Sequence, residues 1–398
     1  MTAAAPPDAR RFDVVLFGAT GFTGRLTAEY LARRAAAEGL RWAVAGRDAD
    51  KLEGLVSALA DLAEAPPAIL QAQVGDPQSL RRMASETRVV ATTVGPYARW
   101  GEEVVAACVD GGASYADITG EPEFVARVVE RYHPRARDLG LRLVSCCGFD
   151  SIPHDLGALL TVLQLPDDVP TRVEGFVHGV GSFSGGTWHS AVEAMGRAGD
   201  TLGALRSHLD PGPGRRVGGT RPRPRYERRL GSWVAPLPTI DPWIVLRSAC
   251  DLEAFGPSFR YGHYVRVGSL PALAAGAAFV GSVATLARFA PTRRLLLSAK
   301  RSGDGPNESQ RARSRFDVVF FGEAGDATAV VEVSGGDPGY GETSKMLAES
   351  ALCLALDGDR LPERYGALTP ASAMGEVLIE RLRAAGMGFE VVDAPGRG

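Results

Sequence analysis

Lysine is nearly absent from this sequence, which has three lysines against 41 arginines among 398 residues. The short-chain reductases, one class of nucleotide-dependent enzymes, use a Tyr-x-x-x-Lys pair for proton transfer. None of the three lysines, Lys51, Lys300 and Lys345, has a tyrosine four residues before it. The sequence therefore argues against that class.

Cysteine is scarce too, with five residues that form no Cys-x-x-Cys pair and no histidine-flanked metal pattern. We therefore expect reduced thiols, a cytoplasmic protein and no metal site. A net charge of −3 gives no electrostatic case for a nucleic-acid partner. Residues 1–10 lack the charged-then-apolar order of a signal peptide, so we expect no export.

Glycine is abundant, and three of the 48 glycines stand three residues apart after an apolar run at residues 14–17. Glycines allow a sharp turn and a close approach to a pyrophosphate, and the N-terminus of a following helix favours an anion. We predict a dinucleotide site here, with a purely structural turn as the alternative. Its expected contacts are Gly18, Thr20, Gly21, Phe22, Thr23 and Gly24.

The end of the second predicted strand, residues 41–46, indicates which dinucleotide binds. NAD sites usually carry Asp or Glu there for the ribose 2′-hydroxyl, whereas NADP sites carry Arg for the 2′-phosphate. Arg47 follows the strand, and a guanidinium pairs with phosphate through two hydrogen bonds. Asp48 is one position late and suits a helix N-cap. We predict NADP, with NAD as the alternative if Asp48 turns inward.

Further apolar segments at residues 68–74, 88–94, 114–121 and 141–150 complete six predicted strands with helices between them. Ligands of doubly wound sheets bind outside the carboxyl ends of the strands, so polar residues at these exits are site candidates. The predicted cofactor contacts at the exits are Asp76, Thr93, Gly95 and Pro96. The predicted catalytic residues are Tyr97, Asp150 and His154.

Each of these exit residues also has a structural alternative. Asp76 could serve as the N-cap of a helix, and Asp150 or Ser151 could cap the helix that follows them. Tyr97 could be a half-buried packing group in a turn.

From residue 171 onward the hydrophobic pattern changes to alternation, as in residues 172–177, 315–321 and 327–333. A period of two predicts an antiparallel sheet with one buried face. The predicted fold class is α/β, with a Rossmann-type doubly wound parallel sheet plus a second mixed α/β domain with a largely antiparallel sheet. We expect a dinucleotide-binding domain at residues 1–165, a substrate domain at 166–342, and C-terminal helices at 343–398 that return to the first.

Three segments of the second domain suggest ligand contacts. Residues 181–188 form a glycine-rich helix start that suits an anionic substrate group, or a simple turn. Residues 215–229 hold seven arginines, typical of a solvated loop, with a dock for an acidic carrier or lipid head group as the alternative. Residues 267–287 carry no charge. We expect a helix or helical hairpin there, with peripheral membrane contact; a spanning helix and a buried helix pair are the alternatives.

Several of these stretches together resemble the saccharopine dehydrogenase-like proteins, specifically the branch of trans-acting enoyl reductases. The resemblance rests on FGATGFTG at residues 17–24, TVGPY at 93–97, YADITGE at 115–121 and CGFDSIP at 147–153. It continues through FSGGT at residues 183–187 and the segment 341–354, so it spans most of the chain.

The resemblance implies NADPH and reduction of a C=C bond in a polyketide-derived or fatty-acyl chain. Its expected partners are an acyl or lipid-like substrate and a polyketide synthase or acyl carrier that presents it. Two other hypotheses stay open. One is C–N oxidoreduction on an amino acid, as in saccharopine metabolism, and the other is a non-catalytic NADP-binding sensor or scaffold.

Overall fold

The computed structural model describes residues 10–62, 65–180, 209–298 and 308–392. The chain divides into two compact units. Unit 1 is Met1–Phe149 with Tyr340–Leu382, and unit 2 is Asp150–Gly339 with Arg383–Gly398. The predicted glycine-rich turn at residues 181–188 lies outside the described residues.

The strands in chain order are β1 Phe12–Phe17, β2 Trp42–Gly46, β3 Ala68–Gln71, β4 Thr87–Thr92, β5 Ser114–Asp117, β6 Arg142–Val144, β7 Thr171–Val180, β8 Arg216–Gly219, β9 Arg225–Glu227, β10 Ser232–Pro236, β11 Ser258–Val267, β12 Arg315–Ala324, β13 Ala327–Gly335, β14 Gly366–Leu368 and β15 Gly388–Val392. The helices are α1 Phe22–Glu38, α2 Ala49–Ala58, α3 Pro77–Ser85, α4 Tyr97–Gly111, α5 Pro122–Asp138, α6 Ile152–Val162, α7 Asp241–Asp251, α8 Leu270–Ala287, α9 Ala290–Ser298, α10 Glu308–Arg311, α11 Gly341–Leu356 and α12 Pro370–Ala384.

Unit 1 is built on a parallel sheet of seven strands in the order β14-β6-β5-β4-β1-β2-β3. All six residues of β1 are buried, as expected of a strand in the middle of a parallel sheet. The chain runs outward from β1 through β2 and β3, and in the other direction from β4 through β5 and β6. The topological switch point therefore lies between β1 and β4, where ligands of such sheets bind.

Unit 2 is built on a mixed sheet in the order β15-β13-β12-β7-β11-β10-β9, with β8 also paired to β11. Within the described part of this sheet, β11 pairs in parallel with β7 and β8, and the remaining pairs are antiparallel. Helix α6 packs on this sheet through Gly157, where an added Cβ would lie 2.3 Å from the Phe320 ring. The predicted fold class, a Rossmann-type sheet beside a largely antiparallel one, is confirmed.

Two short strands of this fold are not predicted from the sequence. The sequence predicts only helices after residue 341, yet β14 extends the parallel sheet beside β6 and β15 extends the mixed sheet beside β13. Each is a strand of at most five residues. Its partner strand lies far away in sequence, so no hairpin pattern marks it.

Of the two unusual segments of unit 2, the arginine-rich one differs from the solvated loop that was expected, and the uncharged one contains a helix as expected. The arginine-rich segment is not simply a solvated loop, since it contains β8 and β9, and Arg225 and Arg229 bind Glu174 and Glu227. The uncharged segment forms the single helix α8, which is exposed along most of its length rather than buried. By length and composition α8 could cross a membrane, although one such helix is weak evidence for a span.

Candidate functional site

The glycine loop after β1 has no room for side chains at two of its three glycines. Gly18 has a φ of +88°, and a Cβ there would lie 2.7 Å from Val94 Cγ2. A Cβ on Gly24 would lie 2.2 Å from the carbonyl oxygen of Gly18. These two glycines permit the turn and the close contact of α1 with the strand end, as a phosphate loop requires.

Gly21 differs from the other two glycines, because an added Cβ at this position would not clash with its neighbours. Its nearest neighbour to an added Cβ is the Gly18 oxygen at 3.4 Å, and Gly21 itself is exposed. Gly21 is the N-cap of α1 and offers no side chain to the helix amides, and the first turn of α1 has no acidic residue. This end of α1 therefore fits the pyrophosphate of a dinucleotide.

The loop also meets the end of β4 at the switch point. Thr93 donates a hydrogen bond from Oγ1 to the carbonyl oxygen of Gly18 at 3.1 Å. Gly95 and Pro96, which follow, are exposed. The structure therefore brings the predicted contacts at Thr93 and Gly18 together, and contact of any of these residues with the cofactor stays a prediction.

At the end of β2, Arg47 is exposed and Asp48 is engaged elsewhere. Asp48 is the N-cap of α2, where Oδ1 accepts from the Lys51 amide at 3.2 Å and Oδ2 lies 3.1 Å from Lys51 Nζ. The predicted cap at Asp48 is thus confirmed. A carboxylate held in this way does not favour an inward turn toward a ribose hydroxyl, which fits NADP better than NAD.

Asp76 also serves as a helix cap. Its Oδ1 accepts from the amides of Gln78 and Ser79 at the start of α3. The structural alternative for Asp76 is therefore confirmed, and a contact with the adenine stays a prediction.

Tyr97 lies in the first turn of α4, where the sequence indicates a turn. It is buried, its hydroxyl donates to the Thr92 carbonyl at 3.0 Å, and its ring packs on Phe124. Burial, with the nearby charge of Asp117, raises the pKa of Tyr97 well above its usual value. Its geometry is that of a packing residue, and its catalytic role stays a prediction.

Two carboxylates of unit 1 hold the strand exits in place. Asp117 accepts from the amides of Thr119 at 2.9 Å and Cys146 at 3.0 Å, and from the Ser145 hydroxyl at 3.1 Å. Burial raises the pKa of Asp117 to about 6, against those hydrogen bonds. Asp117 thus fixes the backbone after β6 to the end of β5.

Glu121 performs a similar task for α4. Its two carboxylate oxygens accept from the amides of Tyr97 at 3.0 Å and Ala98 at 2.7 Å. The cap of α4 therefore comes from a residue 24 positions later in the sequence, while the N-cap residue Pro96 contributes no side-chain hydrogen bond. This distant cap allows α4 to begin at Tyr97.

The candidate acid–base residues of unit 2 lie around the start of α6. Asp150 is half-buried, and Ser151 is the N-cap of α6 without a capping hydrogen bond from its side chain. The Ser151 hydroxyl instead donates to the Asp150 carbonyl at 2.5 Å and lies 3.5 Å from Asp241 Oδ1. Of the two residues proposed to cap α6, Ser151 thus occupies the N-cap position, although its hydroxyl does not bond to the helix amides.

His154 belongs to a buried cluster with Asp241 and His263. His154 Nε2 lies 4.0 Å and His263 Nε2 lies 3.4 Å from Asp241 Oδ2. The two imidazole rings meet edge to face with centroids 4.9 Å apart. A histidine from α6 and a histidine from β11 thus lie beside the Asp241 carboxylate of α7 inside unit 2.

The pKa values within this region shift in different directions. Burial, together with repulsion from Asp241, raises the pKa of Asp150 to about 7. Burial lowers the pKa of His154 to about 4, despite the attraction of Asp241. Burial also opposes the ionisation of Asp241, but the two imidazoles hold the pKa of Asp241 below its usual value. At neutral pH Asp241 is therefore ionised, His154 is neutral and Asp150 is about half protonated.

Asp241 and His263 were not among the residues predicted from sequence. Asp241 stands at the start of α7 before Pro242, a pattern that indicates only a helix N-terminus. His263 and Tyr261 are two residues apart on β11, so their side chains lie on the same face of the strand, and both are buried. A polar imidazole on the apolar face of a strand is the one signal that the sequence offered.

Comparison with known proteins extends beyond the nucleotide fold. Residues 14–144 match the family described as the saccharopine dehydrogenase NADP-binding domain. A Mycobacterium tuberculosis protein provisionally named a trans-acting enoyl reductase is 38% identical, over 96% of this chain and 97% of that one. The trans-acting enoyl reductases of Mycobacterium bovis and Mycobacterium leprae are 36% and 34% identical, each over 96% of this chain and 98% of their own.

One solved structure shares the overall fold. The apo saccharopine dehydrogenase (L-Glu forming) of Saccharomyces cerevisiae superposes with a TM-score of 0.55 at 13% identity. The match covers 96% of this chain and 99% of that one. At this identity the likeness concerns the fold alone.

The glycine loop at the switch point and the NADP-binding domain define the protein as an NADP-dependent oxidoreductase. Within that class, the chain belongs to the trans-acting enoyl reductases of the saccharopine dehydrogenase-like family.

Proposed function

We propose that this oxidoreductase reduces the C=C bond of an α,β-unsaturated acyl, polyketide or lipid-like substrate. The observation that carries the proposal is the extent of the similarity to trans-acting enoyl reductases, which covers 96% of the chain. It thus includes unit 2 with its buried acid–base residues as well as the nucleotide fold. Similarity confined to unit 1 would support a cofactor and no particular chemistry.

In unit 1, backbone groups and one cationic side chain would hold the cofactor. The N-terminus of α1, with Gly18, Gly21 and Gly24, would bind the pyrophosphate, and Arg47 would pair with the 2′-phosphate. When bound, NADPH supplies a hydride for the β-carbon of the enoyl group. The flanking residues Thr20, Phe22, Thr23, Thr93, Gly95 and Pro96 would line its path.

Reduction of an enoyl group also needs a proton at the α-carbon, where an enolate would otherwise accumulate. Among the predicted donors, Asp150 is favoured because its pKa of about 7 leaves a proton to give at neutral pH. The Tyr97 hydroxyl is already committed to the Thr92 carbonyl, and His154 is neutral. A pair of nearby carboxylates with diverging pKa values is a recurring arrangement in acid–base catalysis.

We further propose that the acyl chain arrives on a separate polyketide synthase or acyl carrier, as the term trans-acting in the relatives' names indicates. In this proposal the protein is cytoplasmic, with α8 in peripheral contact with a membrane or with the acyl chain. Phe279 and Leu286 of α8 are 60% and 42% exposed. Arg288, Arg293 and Arg294 follow, and residues 254–303 contain no acidic residue. An exposed apolar helix beside basic residues suits an anionic lipid surface.

The test is NADPH consumption by the purified protein with two kinds of substrate, together with a measurement of NADP binding. We expect oxidation of NADPH with an α,β-unsaturated acyl thioester, and a product two mass units heavier than the substrate. Turnover only with a keto acid plus an amino acid would instead support C–N chemistry. NADP binding without turnover of any acceptor would support the sensor or scaffold hypothesis.

A further inference from the structure

The cluster of His154, Asp241 and His263 has a property that proton transfer does not require. One ligand atom from each residue lies within 4.8 Å of the other two, and all three residues are at least 97% buried. A buried carboxylate between two imidazoles offers one oxygen and two nitrogen ligands. These are ligands of borderline divalent metals, whereas Mg²⁺ and Ca²⁺ prefer oxygen throughout.

We propose that His154, Asp241 and His263 bind a zinc-type divalent cation, with a fourth coordination position left open for water or a substrate oxygen. The ligands of a tetrahedral zinc ion stand roughly 3.3 Å from one another, from metal–ligand distances of about 2.0–2.2 Å. His263 Nε2 and Asp241 Oδ2 are already 3.4 Å apart, and His154 Nε2 is 4.0 Å from the same oxygen. Shifts of about 1 Å or less would therefore close the set around an ion.

Groups behind the ligands orient them as a metal site needs. The Tyr261 hydroxyl lies 3.1 Å from His263 Nδ1, which leaves Nε2 on the side of Asp241. Asp241 accepts a hydrogen bond from the Thr239 hydroxyl at Oδ2, and the Ser151 hydroxyl lies near Oδ1. Hydrogen bonds of this kind fix the tautomer of a ligating imidazole and the orientation of a ligating carboxylate.

A metal-free hydrogen-bonded core is the competing explanation, and the geometry of one atom argues against it. His263 Nε2 is buried and lies 3.4 Å from Asp241 Oδ2, but it makes no well-aligned hydrogen bond within the described part of the chain. A buried nitrogen held only by a long, poorly aligned contact carries a desolvation cost that coordination would remove.

The experiment uses the full chain, stripped of metal by a chelator and dialysed, and then titrated with Zn²⁺ or Co²⁺. We expect one ion per chain by elemental analysis, a visible Co²⁺ absorption band of four- or five-coordinate type, and a rise in melting temperature with either ion. His263→Gln and Asp241→Asn should each weaken binding at least tenfold. His178→Gln is the matched control, because His178 pairs with Asp317 at 2.9 Å outside the cluster, and it should bind as the wild type does.

Wild-type protein that takes up no stoichiometric ion, or that shows only the spectrum of octahedral aqueous Co²⁺, would overturn the proposal. Equal binding by wild type and by His263→Gln would do so as well. The wild-type titration decides the question even if a variant fails to fold. None of these measurements needs a substrate, so failure of the enoyl reductase proposal would leave this result standing.

Discussion

The carboxylates compared in the two units have opposite kinds of neighbours. In unit 1, Asp117 and Glu121 accept mainly from backbone amides, and they thereby fix the loops at the strand exits. In unit 2, the neighbours of Asp241 are side chains: two imidazoles and the hydroxyls of Thr239 and Ser151. A carboxylate saturated by amides stabilises a fold, whereas one among titratable side chains is available for chemistry. We therefore expect loss of a unit 1 carboxylate to affect stability and loss of a unit 2 carboxylate to affect turnover.

The largest expected effect comes from Asp150→Asn in unit 2. The amide keeps the size of the side chain but has no acidic proton to deliver, so kcat should fall by about 10²–10⁴-fold. NADPH affinity, measured by fluorescence titration, should stay unchanged. Asp326→Asn changes an exposed carboxylate of the same unit and should keep full activity. Tyr97→Phe should keep turnover within a few-fold. A slow Tyr97→Phe with a normal Asp150→Asn would transfer the donor role to Tyr97.

In unit 1, the second prediction is that Asp117 makes the stability of the protein depend on pH. Its pKa rises from 3.8 to about 6 on folding, so the folded state binds the extra proton between about pH 4 and 6. Stability therefore falls as pH rises through this window, by at most about 3 kcal/mol from this group. Asp117→Asn should lose this part of the pH dependence in urea unfolding at pH 4.5 and 7.

The control for Asp117 is again Asp326→Asn, which should follow the wild-type pH profile. If Asp117→Asn and the wild type show the same difference in unfolding free energy between the two pH values, Asp117 is not protonated as described. Loss of turnover with unchanged stability in that variant would break the division of roles between the units.

The features of each unit that the sequence predicts are those whose contacts join residues close together along the chain. The glycine loop is readable because β1, Gly18 to Gly24 and α1 are contiguous, and the cap at Asp48 acts on a residue three positions away. The start of α4 is not readable, since Glu121 caps it from 24 residues downstream. The unit 2 cluster is harder still, because His154, Asp241 and His263 come from three separate elements and meet only through folding.

A smaller effect is expected for Arg47→Ala, which probes the cofactor end of unit 1. Loss of a charge-assisted pair with the 2′-phosphate should weaken NADPH binding by about 1.5–3 kcal/mol and leave NADH nearly unaffected. Arg47→Lys should lie between wild type and Arg47→Ala, because an ammonium lacks the planar two-point fork. An equal loss for both nucleotides would remove Arg47 from the 2′-phosphate site.

The smallest effect concerns α8, which carries neither a cofactor contact nor an acid–base residue. Phe279→Asp and Leu286→Asp should each reduce binding to anionic vesicles by about three- to tenfold, because each removes part of the exposed apolar surface. Leu139→Asp, at an exposed apolar site in unit 1, serves as the control and should bind normally. If the α8 variants instead lose expression and NADPH binding together, the helix is ordinary core and the membrane proposal fails.

The central claim, that the protein transfers a hydride from NADPH to the β-carbon of an enoyl group and delivers a proton to its α-carbon, is tested most directly by isotope placement. The wild type would be run with an α,β-unsaturated acyl thioester and NADPH deuterated at C4 on either face, in ordinary water. We predict one deuterium at the β-carbon with one of the two cofactors, and a solvent-derived deuterium at the α-carbon when the run is repeated in D₂O with ordinary NADPH. A saturated product without cofactor deuterium at the β-carbon, or deuterium only on a carbon that bears nitrogen in the presence of a keto acid and an amino acid, would contradict the account.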